Sequence, residues 1–235
     1  MTIKTMERDR PDMGHDTLRM GLGGGLSRSG SAFSTVDFRL ALHDLADPSQ
    51  GYPDHAQIEF LPTRLRWSFA AQRLRLERFS LVNIWTVTPL DQYNPRTSWH
   101  LDVGAKRRID PAGYGRTAAR FELGGGGALG SSGGTLLMFG MADVEVLAAP
   151  GLGVHRFFPL SVGVGPTIGA RLRLHQRLAL LTTTRTRWLP GQARAWSFES
   201  DTVLRWMVGD GFALGAEARW NRTDVEAELR AWWYF

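Results

Sequence analysis

The sequence predicts an all-β protein, an antiparallel transmembrane β-barrel of about twelve strands. Three observations carry that expectation. The final segment, Thr223 to Phe235, alternates with a period of two. Turn chemistry breaks the remainder into pieces of strand length, and tryptophans gather near the ends of those pieces. The 235 residues are 43% hydrophobic, with a slightly negative mean hydropathy. No run approaches the roughly 18 apolar residues that a membrane helix requires. A barrel needs no such run, because strands with one oily and one polar face average to a soluble-looking composition.

Taken in order, strands are expected near 17–28, 32–44, 55–69, 73–88, 97–109, 115–125, 135–147, 159–174, 177–189, 194–208, 211–221 and 223–235. Each approaches or exceeds the about 9–11 residues that cross a bilayer at a tilt. The breaks are turn formers: Asp47-Pro48 with Gly51, Asn94-Pro95, Asp110-Pro111 with Gly113, Gly130 to Gly134, Pro190-Gly191, Asp210-Gly211 and Asn221-Arg222. Gly21 to Gly25 and Gly124 to Gly127 mark curvature or close packing in a small barrel. A phosphate-binding loop at Gly21 to Gly25 would need a lysine and a βαβ context, and both are missing. In 55–69 the apolar set moves from Ala56, Ile58 and Phe60 to Leu65, Trp67 and Phe69, with Pro62 between them. That change of phase predicts a β-bulge.

The later segments alternate most clearly. Ile168, Ala170, Leu172 and Leu174 oppose Arg171, Arg173 and His175; Leu178, Leu180 and Trp188 oppose Arg177, Arg185 and Arg187. Trp196, Phe198, Leu204 and Trp206, interrupted by Ser200 and Thr202, oppose Glu199, Asp201 and Arg205. Phe212, Leu214, Ala216, Ala218 and Trp220 oppose Glu217 and Arg219. In the last strand Val225, Ala227, Leu229, Ala231, Trp233 and Phe235 oppose Asp224, Glu226, Glu228, Arg230, Trp232 and Tyr234. Trp188, Trp196, Trp206, Trp220, Trp232 and Trp233 are expected in two interfacial girdles, where an indole is buried yet its N–H stays wet. A soluble sandwich would present the same alternation with its oily face as core.

The charged face defines a lumen. Its predicted network is Arg171, Arg173, Arg185, Arg187, Glu199, Asp201, Glu217, Arg219, Glu226, Glu228 and Arg230. Asp37, Arg39, Asp102, Lys106, Arg120, Glu122, Asp143 and Glu145 extend it into the first half. Arginines and acids on neighbouring strands can pair bidentately across a narrow interior. The expectation is a plugged, structural lumen; a small diffusion channel or a substrate-holding cavity is the alternative.

Other chemistry is sparse. The absence of cysteine excludes disulfides, thiolate metal sites and a cysteine nucleophile. Net charge is +5, almost all arginine, with Lys4 and Lys106 the two lysines. The arginines alternate along strands without forming a basic run, so no nucleic-acid partner is expected. His15, His43, His55, His100, His155 and His175 form no metal-ligand spacing, and neither metal nor cofactor is assigned. His43-Asp44 and Asp54-His55 flank a loop containing Ser49, an arrangement a lipolytic barrel resembling outer-membrane phospholipase A could use. No GxSxG elbow supports it, and no catalytic residue is assigned.

The chain ends on an aromatic at the oily face of an alternating strand. Leu229, Trp233 and Phe235 resemble the C-terminal signal by which outer-membrane barrels reach their assembly machinery, which implies a bacterial outer-membrane location and lipid contact. Several blocks are similar to Lnb-type outer-membrane proteins: Pro11 to His15 through Arg19 to Gly23, Phe38 to Pro48 with Gly51-Tyr52, Ala56 to Phe60, Leu81 to Ile84, and Thr97 to Trp99. The resemblance covers essentially the whole chain, most specifically 11–109, and corresponds to the family's C-terminal barrel. It implies a polar N-terminal segment at 1–14, a barrel over 15–235, and a preceding periplasmic domain with a cysteine–histidine site. Some members are implicated in lipoprotein N-acylation, so a periplasmic catalytic domain and a lipoprotein substrate are the partners implied. The barrel would be their membrane anchor or platform. The polar first residues lack a signal-peptide apolar region, which fits the C-terminal part of a longer precursor.

Overall fold

The computed structural model describes residues 16–47, 54–90, 96–109, 115–131, 134–149, 160–190 and 195–235. Twelve strands follow in chain order: β1 (Arg19–Ser27), β2 (Ala32–His43), β3 (Ala56–Ser68), β4 (Arg73–Thr86), β5 (Ser98–Ile109), β6 (Gly115–Gly130), β7 (Leu136–Ala148), β8 (Leu160–His175), β9 (Leu178–Trp188), β10 (Trp196–Gly209), β11 (Phe212–Asn221) and β12 (Val225–Tyr234). Each pairs antiparallel with its sequence neighbours, and β1 pairs with β12 to close the barrel. Closure leaves no sheet edge, which is what allows strands to span lipid. The first and last strands place residues 18 and 235 at one end, here called the termini end; the other is the hairpin end.

Period-two sequence becomes a two-sided wall. Leu22, Leu74, Leu81, Leu123, Ile168, Leu204, Leu214 and Leu229 face outward and are exposed. Seven of the nine tryptophans also lie on this exterior. Trp67, Trp188, Trp196 and Trp220 sit near the hairpin ends of their strands, and Trp99, Trp206 and Trp233 near the termini ends. Two aromatic belts around an apolar band are the exterior a bilayer requires. Trp232 corrects the sequence expectation. It faces the lumen, fully buried, beneath Arg205 and Arg230 at 4.6 and 5.3 Å from its ring.

The bulge expected at Pro62 is present. Pairing jumps from Phe38↔Thr63 to Leu40↔Phe60, with Leu61 at a φ of 50°, and Phe60 and Trp67 both face outward. Strand β6 runs five residues past its expected end, straight through the glycine run to Gly130. Glycine is needed there for space: a Cβ at Gly124 would collide with Asp143 and His100 on the flanking strands. At Gly23, likewise, a Cβ would collide with Glu228 and Thr35. The β1 glycines therefore make room for lumen side chains, and the wall there is backbone alone.

Candidate functional site

The interior has two halves. Toward the termini end the described residues fill it with packed side chains. Asp44 to Asp47, the turn after β2, folds inward, and its own polar groups shape it. The Ala46 and Asp47 amides donate to Asp44 Oδ1 at 2.9 and 3.1 Å, and the Asp44 amide donates to Asp47 Oδ2 at 2.9 Å. Such aspartate-to-backbone bonds are the usual way this side chain fixes a turn. Arginines from three strands then hold the turn. Arg19 of β1 donates to Asp44 at 2.5 Å, Arg205 of β10 at 2.7 Å, and Arg39 of β2 to Asp47 at 3.0 Å. Tyr234 of β12 adds its hydroxyl to Asp47 Oδ1 at 2.6 Å. Burial opposes ionisation of Asp44, but Arg205, with Arg19 and Arg39, outweighs it and holds the carboxyl well below its ordinary value. Apolar packing completes the floor: Leu45 joins Trp85, Val87, Ala128, Leu137, Phe139 and Met141, while Met207, Ala213, Trp232 and Tyr234 form a second cluster.

A second tie lies at the same end. Arg171 donates to the Asp54 carbonyl at 2.5 Å, and Arg173 pairs with its carboxylate at 2.6 Å. His55 beside them is held below the usual histidine range by burial; Asp54 opposes this, and Arg171 and Arg173 reinforce it.

Above the floor, a cavity of about 860 Å³ runs to the hairpin end. Asp44, Leu45 and Ala46 line its deep end, and the hairpin residues Ser29, Ser31, Arg222 and Thr223 line its rim. Its walls are crossed by ion pairs. Arg64 of β3 reaches Glu217 of β11 at 2.8 Å and also contacts Glu228 of β12. Arg230 reaches Glu217 at 2.8 Å and contacts Asp37. Arg219 pairs with Asp201 at 3.1 Å, Arg185 with Asp201 at 3.4 Å, and Lys106 with Glu199. Arg66 bridges Glu77 at 2.9 Å and Glu226 at 2.6 Å. Every residue of the predicted lumen network therefore faces inward, all in ion pairs except Arg171, which donates to the Asp54 carbonyl. The pairing differs from the expectation, however. Single guanidinium groups bridge two carboxylates, and several pairs join strands that are not neighbours. Among the described residues, the lumen is filled toward the termini end and holds the cavity toward the hairpin end.

One cluster escaped sequence reasoning. His100, Glu122 and Asp143 meet on β5, β6 and β7, with ligand-type atoms all within 4.8 Å of one another. Their spacing in sequence carries no signal; only strand register brings them together. Arg187 already lies 2.5 Å from both Glu122 and Asp143, and Arg120 also contacts Glu122. A guanidinium thus supplies the counter-charge a metal would bring, so the cluster fits a structural network. His100 stacks on Trp85 at 4.2 Å, extending the floor's packing.

Leu229, Trp233 and Phe235 all project outward from β12 and its end, at 72%, 39% and 55% exposure. The lipolytic arrangement gains nothing. Ser49 lies outside the described residues, as do His15 and His155, and Asp44 is occupied by arginines.

A closed twelve-strand barrel with an apolar, doubly belted exterior and a charged interior is a transmembrane barrel of the outer-membrane type. Residues 8–234 match the profile of DUF7840, a domain of unknown function, and the chain belongs to that family. Among curated proteins none matches in sequence. Solved structures share the fold. The KdgM porin in complex with disordered oligogalacturonate is 7% identical over 92% of this chain and 99% of its own, with a TM-score of 0.52. The NanC porin is 7% identical over 92% of this chain and all of its own, with a TM-score of 0.56. An outer membrane channel from Pseudomonas putida F1 is 10% identical over the full length of both chains, with a TM-score of 0.54.

Proposed function

We propose that this barrel is an outer-membrane channel held shut at its termini end. The observation that carries this reading is the cavity reaching from the hairpin rim to the Asp44–Ala46 floor. A purely structural lumen has no use for about 860 Å³ of accessible space with a polar wall. Barrels are delivered from the periplasm, so the termini end faces the periplasm and the cavity faces outward. Solutes enter the cavity from outside and pass when the floor withdraws. The porin architecture of the structural neighbours is consistent with this.

Planar-bilayer recording tests it. Wild-type protein should show rare, small openings. Asp44→Asn with Asp47→Asn removes the negative charge that gathers Arg19, Arg39 and Arg205, leaving buried cations unpaired. Open time in the double variant should rise at least about tenfold, since one lost charged hydrogen bond is worth about 1.5–3 kcal/mol. Silence from both proteins would end the channel reading.

The packed floor favours a second reading, a platform for a periplasmic lipoprotein-modifying domain. The chain enters β1 at the rim of that floor, so a domain ahead of residue 16 would stand against it. This reading predicts silent bilayers together with retention of a lipoprotein by the membrane-embedded protein.

A further inference from the structure

Fifteen cationic and eleven acidic side chains line the cavity among the described residues, and the surplus is not spread evenly. Near the hairpin rim Glu77 is shared by Arg66 at 2.9 Å, Arg64 at 3.4 Å and Arg219 at 3.5 Å. Glu226 is shared by Arg66 at 2.6 Å and Arg219 at 3.6 Å. Both carboxylates are committed. Arg75 and Arg107 line the same end of the cavity, each within three residues of the rim end of its strand, β4 and β5. Neither has a carboxylate within 4 Å among the described residues, and Arg75 Nε is buried with no hydrogen-bond partner. The Arg107 guanidinium lies against Gly115, where any Cβ would collide with it. The glycine leaves the guanidinium its place on the wall. Hydroxyls of Ser27, Ser29 and Ser31, linked at 2.8 and 3.1 Å, line the same rim.

Two guanidinium groups with no carboxylate in ion-pair contact, set in the wall of a confined cavity, hold a positive potential that concentrates anions. Their planar forks match the geometry of carboxylate and phosphate oxygens. We infer that the Arg75–Arg107 wall is a binding site for an oxyanion group, carboxylate or phosphate, of a solute entering from the hairpin end. The inference deepens the channel reading by naming its solute class, yet binding at the wall requires no movement of the floor.

Calorimetric titration of the folded, detergent-solubilised protein with pyrophosphate and with citrate tests it. Folding of each variant is checked by its heat-modifiable migration on a denaturing gel. Wild-type protein should bind both anions, more weakly as salt rises. Arg75→Gln with Arg107→Gln should weaken binding about tenfold or more, while Arg75→Lys with Arg107→Lys should recover part of it. Unchanged affinity in the glutamine variant, or no binding by the wild type up to about 10 mM, overturns the site. A repeat in nanodiscs separates the sources of the oxyanion. Equal pyrophosphate affinity in zwitterionic and anionic lipid supports a free solute. Loss confined to anionic lipid makes a headgroup phosphate the occupant and overturns the solute assignment. Silent bilayers with intact pyrophosphate binding would sink the channel reading and leave the site standing.

Discussion

Tyr234 shows how much one side chain can join. Its ring packs with Met207, Ala213 and Trp232, and its hydroxyl donates to Asp47 at 2.6 Å. A hydrogen bond from a buried phenol to a carboxylate is worth about 1.5–3 kcal/mol. Tyr234→Phe keeps the packing and removes the bond. Urea unfolding in liposomes should show a loss of about 2 kcal/mol, and an unchanged midpoint would separate the floor from the stability of the barrel. The alternation in β12 made the inward direction of Tyr234 legible. Its partner was not legible, because Asp47 lies far away in sequence and reads there only as the start of an Asp-Pro turn. The same distance hid the roles of Arg19, Arg39 and Arg205 in holding that turn.

At the level of elements, β9 and β10 depart from the oily exterior. Thr182 pairs with Thr202 and Thr184 with Ser200 on the lipid-facing side, each pair with its hydroxyl oxygens 3.0 Å apart. Hydroxyls facing hydrocarbon are costly unless they satisfy each other, and directly opposed cross-strand positions let them do so. Thr182→Val alone strands the Thr202 hydroxyl and should cost about 1 kcal/mol in urea unfolding. Adding Thr202→Val removes both polar groups and should restore or exceed wild-type stability. If the double variant were the less stable of the two, the ladder would be contributing more than mutual satisfaction. Sequence marked Ser200 and Thr202 as interruptions and Pro62 as a change of phase, and both readings hold. Its reading of Gly124 to Gly127 as close packing holds, but it ended β6 at 125, because only register shows the strand continuing past glycines that yield space to His100 and Asp143. A second bulge in β4, where pairing shifts beyond Arg64, hid which face Arg75 takes.

For the whole molecule, the closing seam decides whether there is a barrel at all. Gly21, Gly23 and Gly25 of β1 lie opposite Trp232, Arg230 and Glu228 of β12. The Trp232 indole fits between Gly21 and Gly215, where a Cβ on either would strike it. Slipping the seam by two residues would set that indole opposite Arg19 or Gly23 and empty its slot. Leu22 and Ala231 face each other on the outside of this seam. With no native cysteine to interfere, Leu22→Cys with Ala231→Cys should crosslink on mild oxidation and give one band insensitive to boiling without reductant. Leu22→Cys with Leu229→Cys, two residues out of register, should crosslink far less. Equal yields would mean that the glycine slots do not fix the register. Strand number, order and the outward direction of Phe235 were legible in the sequence because they follow from period two and turn chemistry. The cavity was not, since it depends on which of many inward charges reach across to one another.

The floor turn is held by Arg19 and Arg39 from the first two strands, Arg205 from the tenth and Tyr234 from the last. These groups converge only when the two ends of the chain have met. Arg19 and Tyr234 flank the closing seam, so the turn has its full set of holders only in the closed barrel. One strand thus completes two things at once, the last stretch of lipid-facing wall and the last contact on the inward turn.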